Sequence, residues 1–212
     1  KIVRIASGVA ERHLFYGFRS GIRDLSGDPD LFQYQCGMLT GDRITTVLTD
    51  NLGYGYIGIH AKNVSVGGEP GSVASKNLRK GLATIIAAYR DVAVDSYYGQ
   101  YANVIHYPIS DTSWAAPRPT DPGYRQAFSL DKDGKPIYTP EMTAQQRYEA
   151  AKKASLEYLI AAGYTGENGK ITAAPAGANM SYEVLIGAGG TGDHPTFMVL
   201  TMASAALKEI GF

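Results

Sequence analysis

The residues with the broadest chemical range in this 212-residue chain are four histidines, His13, His60, His106 and His194, and one cysteine, Cys36. Their placement argues against chemistry. No two histidines stand four apart on a helix, the spacing that brings two imidazoles to one zinc ion. A single cysteine rules out an intrachain disulfide and any thiolate cluster, and it reads as a small apolar residue. There is no G-x-S-x-G elbow for a serine nucleophile, and no pair of carboxylates stands out for acid–base work. Catalysis has no visible home, and neither a metal nor an organic cofactor is expected.

Two glycine-rich stretches could in principle cradle phosphate. Gly187, Gly189 and Gly192 in GAGGTG satisfy G-x-G-x-x-G between a strand-like and a helix-like segment. In a dinucleotide fold that loop sets pyrophosphate on a helix N-terminus, and an acidic ribose partner follows about 20 residues on. The chain ends at about that point, and Asp193 would set a carboxylate where the phosphates lie. Asp193 reads instead as a helix N-cap with Pro195 in the first turn. An α/β nucleotide-binding enzyme domain built on this loop is nevertheless the alternative function to carry forward. GYTGENGK, 163–170, has one residue too many between its glycines and puts Ile171 where a phosphate loop needs Ser or Thr.

What remains is recognition. Asn51-Leu52-Gly53 punctuates the chain before GYGYIGIHAKN, read as an aromatic strand. Successive strand side chains point opposite ways, so Ile57 and Ile59 share one face, while Tyr54, Tyr56 and His60 share the other with Gly58 between. A flat tyrosine face beside glycine lets another backbone lie close. The 15 tyrosines against six phenylalanines suit partly wet surfaces, since tyrosine buries a ring and keeps a hydroxyl. His194 opens a helix whose free N–H groups favour an anion such as a carboxylate.

The elements that must position these groups alternate between strand and helix. Lys1–Ser7 reads as a strand and Val9–Phe18 as a helix. Ser20–Leu25 reads as a turn into a short strand, 28–34 as a helical turn, and Ile44–Asp50 as a β-branched strand. After Ser75, Leu78, Leu82, Ile85 and Tyr89 fall at helical spacing and predict one buried face. Residues 105–141 hold six prolines and predict a long surface loop. Thr143 and Gln146 form a capping box for a helix that Gly163 stops. Tyr182–Ile186 reads as a strand and Pro195–Glu209 as the last helix. Alternation of this kind predicts an α/β or α+β layer.

Composition sets the remaining bounds. Hydrophobic residues make up 44% and charged residues 19%, enough for a core and too apolar for disorder. Net charge is zero, with 20 basic and 20 acidic residues, so the basic stripe of a nucleic-acid binder is missing. No apolar run approaches the roughly 20 residues that span a bilayer. The chain opens inside strand-like KIVRIAS and closes just after a helix, and so reads as a fragment of a longer protein.

Taken in order, six segments resemble the extracytoplasmic solute-binding proteins of peptide-transporting ABC systems, the oligopeptide- and dipeptide-binding family (family 5 type). They are SGIRDL at Ser20–Leu25, GYIGIHAKN at Gly55–Asn63, LRKGLATIIAAYRD at Leu78–Asp91 with YYGQYANVIHYPIS after it, Arg147–Tyr164, YEVLI at Tyr182–Ile186, and the helix ending LKEIGF. The departures are Tyr89 for a frequent acidic residue, His60 for a frequent Asn, a longer 187–192 loop, and an insertion at 67–75.

The resemblance implies a clamshell receptor with no enzymatic activity. The chain, 1–212, would be a single domain, most of the second large lobe. That lobe is α/β, of periplasmic-binding-protein type II, a mixed sheet flanked by helices and truncated at its C-terminal end. The partners implied are an extended oligopeptide, held between lobes, and membrane permease subunits, with tethering outside the cytoplasmic membrane through parent-chain segments. By position, Asn51, Leu52, Gly53, Tyr54 and Tyr56 would border the cleft, and His194 would lie near a ligand carboxylate. Half a cleft predicts weak peptide binding by this chain alone. A scaffold domain using 105–141 as a partner surface is a further reading.

Overall fold

The computed structural model describes residues 53–98, 102–186 and 194–212. The segments expected at Lys1–Ser7, Val9–Phe18, Ser20–Leu25, 28–34 and Ile44–Asp50, with Cys36 and His13, lie outside those residues. The chain divides into two compact units, one of Lys1–Gly55 with Val94–Tyr124, the other of Tyr56–Ala93 with Arg125–Phe212.

The second unit is a mixed α/β arrangement, helices with one small antiparallel sheet. Its first helix, α1, spans Val73–Ala88 and buries Leu78, Leu82 and Ile85, with Tyr89 at its C-cap. Ser72 caps it by accepting the Ser75 N–H at 3.1 Å. The Ser75 hydroxyl, fully buried, accepts from the Val66 N–H (2.8 Å) and donates to the Glu69 carbonyl (2.7 Å). Arg79 reaches the carbonyls of Val64 (3.0 Å) and Pro70 (2.7 Å). The 67–75 stretch is therefore a collar fastened to the start of α1, its carbonyls satisfied by side chains of that helix. A short helix, α2, follows at Arg90–Ala93.

Helix α3, Ala144–Ala161, starts from the expected capping box: Thr143 Oγ1 accepts the Gln146 N–H and Gln146 Oε1 accepts the Thr143 N–H. It lies close on α1 because Gly81 has no side chain. A Cβ there would stand 3.2 Å from the Ser155 carbonyl oxygen and 3.3 Å from Leu159.

Helix α4 spans Thr196–Glu209 and brings Val199, Ala203 and Ala206 to the same core, with Leu159, Ile171 and Ile210. Its N-cap is Pro195, with no side-chain cap bond, so the helix begins one residue after the expected start; Asp193 lies outside the described residues. Lys152 ties α3 to α4, bonding Glu149 (2.7 Å) and Glu209 (2.6 Å).

Helices α3 and α4 end alike. Gly163 (φ +97°) follows α3 and Gly211 (φ +86°) follows α4. In each case the next residue's N–H reaches back to the third-last helical carbonyl, Tyr164 to Leu159 and Phe212 to Leu207. These are Schellman caps, which need a left-handed residue that glycine adopts without strain. The two rings that emerge meet at 5.6 Å between centroids, and Phe212 also stacks on Tyr182 at 6.1 Å.

Between α3 and α4 runs a hairpin, β1 Thr165–Glu167 against β2 Lys170–Ala173, with Glu167 opposite Lys170. Its turn, Asn168-Gly169, has both φ angles positive, as a two-residue turn matched to strand twist requires.

Two of the expected strands are not formed. Among the described residues the hairpin is the one sheet. Tyr54–His60 and Tyr182–Ile186, both expected as strands, form no ladder. Alternating side chains give a chain two faces, but strand pairing also needs a neighbour's N–H and C=O groups. Tyr56–His60 obeys the first condition only, and in Tyr182–Ile186 the adjacent Val184 and Leu185 are both exposed.

In the first unit, Val94–Tyr98 is a single π-helical turn. Residues 102–124 carry no helix or strand. They are organised by His106 and Tyr107 against Tyr124, with ring centroids 6.3 and 5.6 Å away. The long loop continues in the second unit from Arg125, where it makes one isolated bridge, Leu130 to Pro136. Among the described residues, no helix is long and apolar enough to cross a membrane.

Candidate ligand-binding surface

The segment Tyr56–His60 keeps the two faces that alternation assigns to it. Ile57 and Ile59 are partly buried against the core, while Tyr56, Gly58 and His60 are exposed, Tyr56 at 82%. Gly58 lies beside the Tyr56 ring: a Cβ there would meet it at 3.8 Å and little else. From Tyr54 to Ile59 no main-chain group is hydrogen-bonded among the described residues. The surface thus combines an aromatic ring, a glycine without obstruction and open main-chain donors and acceptors. That is what an added extended chain requires.

His60 ends the segment rather than facing a ligand. Its Nδ1 accepts the Asn63 N–H at 3.3 Å, and its carbonyl accepts from Asn63 and Val64. The turn so formed delivers the chain to the collar on α1, and the collar is locked by Ser75 and Arg79. The exposed face therefore leads directly into a hydrogen-bonded support.

The other expected site residues are placed as follows. Gly53 and Tyr54 belong to the first unit, where Tyr54 is 48% exposed. Tyr56 and His194 belong to the second, and no hydrogen bond or ring contact joins them. Asn51 and Leu52 lie outside the described residues, as does the Gly187–Gly192 loop. His194 stands just before α4, and its Nδ1 meets the Thr196 hydroxyl at 2.7 Å and the Thr196 N–H at 3.2 Å. Its ring serves the helix start, occupying one of the N–H groups that an anion would use.

The perturbed ionisable groups lie elsewhere. Burial pushes the Tyr138 hydroxyl up to about 12, although Arg147 and Arg90 pull the other way, and the Arg147 guanidinium lies 5.8 Å from the Tyr138 ring centre. Burial also raises Tyr164, whose hydroxyl donates to the Asn179 carbonyl at 2.7 Å, and lowers Arg90. The hydrogen bonds of Glu149 and Glu209 hold Lys152 above its ordinary value. Among the described residues no three His, Cys, Asp or Glu side chains gather where they could hold a metal.

One residue that the spacing arguments passed over is Trp114, which is 95% exposed. The signal was present, in a sole tryptophan set between small residues and prolines in SWAAPRP. Compared with known proteins, the chain matches no family model, no curated relative and no solved structure.

Proposed function

We propose that this chain is the peptide-binding part of an ABC importer's receptor, acting outside the cytoplasmic membrane and passing extended oligopeptides to a permease. In this reading it is most of one lobe of a periplasmic-binding-protein type II clamshell, a lipoprotein or periplasmic receptor without catalytic activity. The ordered resemblance of six segments supports the reading. The observation that carries it is the Tyr56–His60 segment, whose aliphatic face is anchored while its tyrosine–glycine face and main chain stay open. Main-chain recognition accepts many side-chain sequences, which suits a peptide scavenger, and alternate side chains of the guest project away.

Thermal denaturation with added ligands tests the proposal. A ligand that binds only the folded state stabilises by about 2.7 kcal/mol at a hundred times its dissociation constant, and each kcal/mol moves the midpoint about 2–4 °C for a chain of this size. Mixed tri- to pentapeptides at millimolar concentration are expected to raise the midpoint, with ATP and NAD inert. Binding by this chain alone is expected to be weaker than micromolar, because one wall of a cleft desolvates less of the guest. A midpoint raised by nucleotide and indifferent to peptide would replace this reading with the enzyme alternative.

A further inference from the structure

The hairpin turn carries the chain's sole Asn-Gly pair, Asn168-Gly169. Both residues are exposed, with φ +51° and +76°. Among the described residues, neither the Asn168 side-chain amide nor the Gly169 N–H has a hydrogen-bond partner. A Cβ built on Gly169 would meet nothing within 4 Å. The remaining asparagines, Asn51, Asn63, Asn77, Asn103 and Asn179, all precede Leu, Val or Met, whose side chains crowd the following nitrogen. At Asn168 an amide and an unhindered N–H stand side by side, and nothing holds either away.

Those two groups can react with each other. The Gly169 nitrogen loses its proton and bonds to the Asn168 side-chain carbonyl carbon, and the side-chain nitrogen leaves as ammonia. The product is a five-membered succinimide. Water then opens either of its carbonyls, leaving aspartate or, where the main chain is rerouted through the side chain, isoaspartate. One water is consumed, one ammonia is released and nothing is oxidised. Closing the ring needs a rotation about the Asn168 backbone, which an exposed turn followed by glycine allows. Asp133-Gly134 is arranged in the opposite way. Its carboxylate is paired with Lys132 at 2.8 Å, and the Gly134 N–H donates to the Asp131 carbonyl at 3.1 Å.

The turn also fixes the register, Gly166 opposite Ile171 and Glu167 opposite Lys170. Ile171 is buried and donates its N–H to the Ile210 carbonyl at 2.7 Å, at the end of α4. Isoaspartate adds one carbon to the main chain inside a turn matched to two residues of positive φ, and so displaces β2. We propose that Asn168 is a self-modification site, converted through Gly169 to aspartate and isoaspartate, and that isoaspartate loosens the anchorage of α4. This is independent of the receptor reading.

Peptide mapping by mass spectrometry tests the site, on the 212-residue chain aged at physiological temperature and mildly alkaline pH. Asn168 is expected to give both products about tenfold or more faster than any other asparagine reacts, equivalent to about 1.4 kcal/mol of barrier. Urea below the unfolding transition should leave that rate unchanged, because only the turn has to move. Hydrogen exchange at Ile171 is expected to quicken in the isoaspartate fraction. It should stay constant in aged Asn168→Gly, whose Gly-Gly pair suits the same turn and has no amide to lose. Conversion no faster than at the other asparagines, or only as urea unfolds the chain, would overturn the site. Unchanged exchange at Ile171 in the isoaspartate fraction, or equal quickening in aged Asn168→Gly, would overturn the coupling to α4.

Discussion

Helix α1 and the extended run Tyr56–Ile59 press aliphatic side chains on the same core, yet they differ in what they leave for others. In α1 terminal main-chain groups find local answers: Ser72 caps its start, and the Tyr89 N–H closes its end on the Ile86 carbonyl. In Tyr56–Ile59 the side chains are anchored while the main chain is not. Burial and recognition are thus written in the same apolar alphabet. The distinction lies in whether a segment satisfies its own hydrogen bonds, as a helix does, or must borrow partners, as a strand does.

The sharpest way to break the comparison is to truncate one side chain on each part. Leu159 is fully buried where α3 meets α1. Leu159→Ala should cost about 3 kcal/mol, through lost transfer energy and the cavity left behind. Tyr56→Ala should stay within about 0.5 kcal/mol, as exposed positions do, while weakening peptide binding. Urea midpoints measure both. A large loss at Tyr56 would mean that the open segment is part of the core's own support.

Next in size is the closed end of α4. Gly211 is left-handed, and a Cβ there would collide with the main chain of Ile171, whose N–H bonds the Ile210 carbonyl at 2.7 Å. Gly211→Ala should cost about 2 kcal/mol or more, combining the left-handed penalty with displacement of β2. Hydrogen exchange at Ile171 should rise with it. An unchanged rate there would show that the helix end and the hairpin are not coupled.

Tyr138 tests the same unit through pH. Its folded value, about 12, lies above the ordinary tyrosine value of 10.0 because burial disfavours the phenolate. A raised folded value means the native state holds the proton more tightly. The contribution is therefore whole below pH 10 and is lost as pH rises towards 12. Its size is on the order of 1–2 kcal/mol, discounted for partial exposure. Tyr138→Phe should flatten that alkaline slope in urea midpoints taken between pH 9 and 12. A slope that survives the substitution would assign the effect to Tyr164 or another buried phenol.

Legibility in the sequence followed the same division. Spacing of Leu78, Leu82, Ile85 and Tyr89 located α1 and its buried face, because a helix supplies its own bonds and needs only a periodic stripe. The Thr143–Gln146 box and the Gly163 stop located both ends of α3 for the same local reason. Alternation in Tyr56–His60 gave the faces correctly and the ladder wrongly, since pairing is decided by distant segments that periodicity does not see. The β1–β2 hairpin is legible in Asn168-Gly169, a strong two-residue turn signal that a phosphate-loop reading of 163–170 obscures. Trp114 had no periodic context at all. It stands in a loop braced by Arg118 on the Asp111 and Ser113 carbonyls, side-chain contacts that periodicity does not report.

The smallest effect tests how finished the closed part is. Ser155 lies wholly buried between α1 and α3, and its hydroxyl has no hydrogen-bond partner. Gly81, opposite, contributes close backbone approach but no acceptor for it. A buried donor left unsatisfied costs about 1–3 kcal/mol, whereas removing a single oxygen leaves little void. Ser155→Ala should therefore raise stability by about 1 kcal/mol, visible as a higher urea midpoint with an unchanged slope, and should leave peptide binding alone. A loss of stability would show that the hydroxyl is bonded in solution, with the α1–α3 seam less dry than its packing indicates. The contrast between a self-satisfied helical core and an open extended edge would then have to be drawn less sharply.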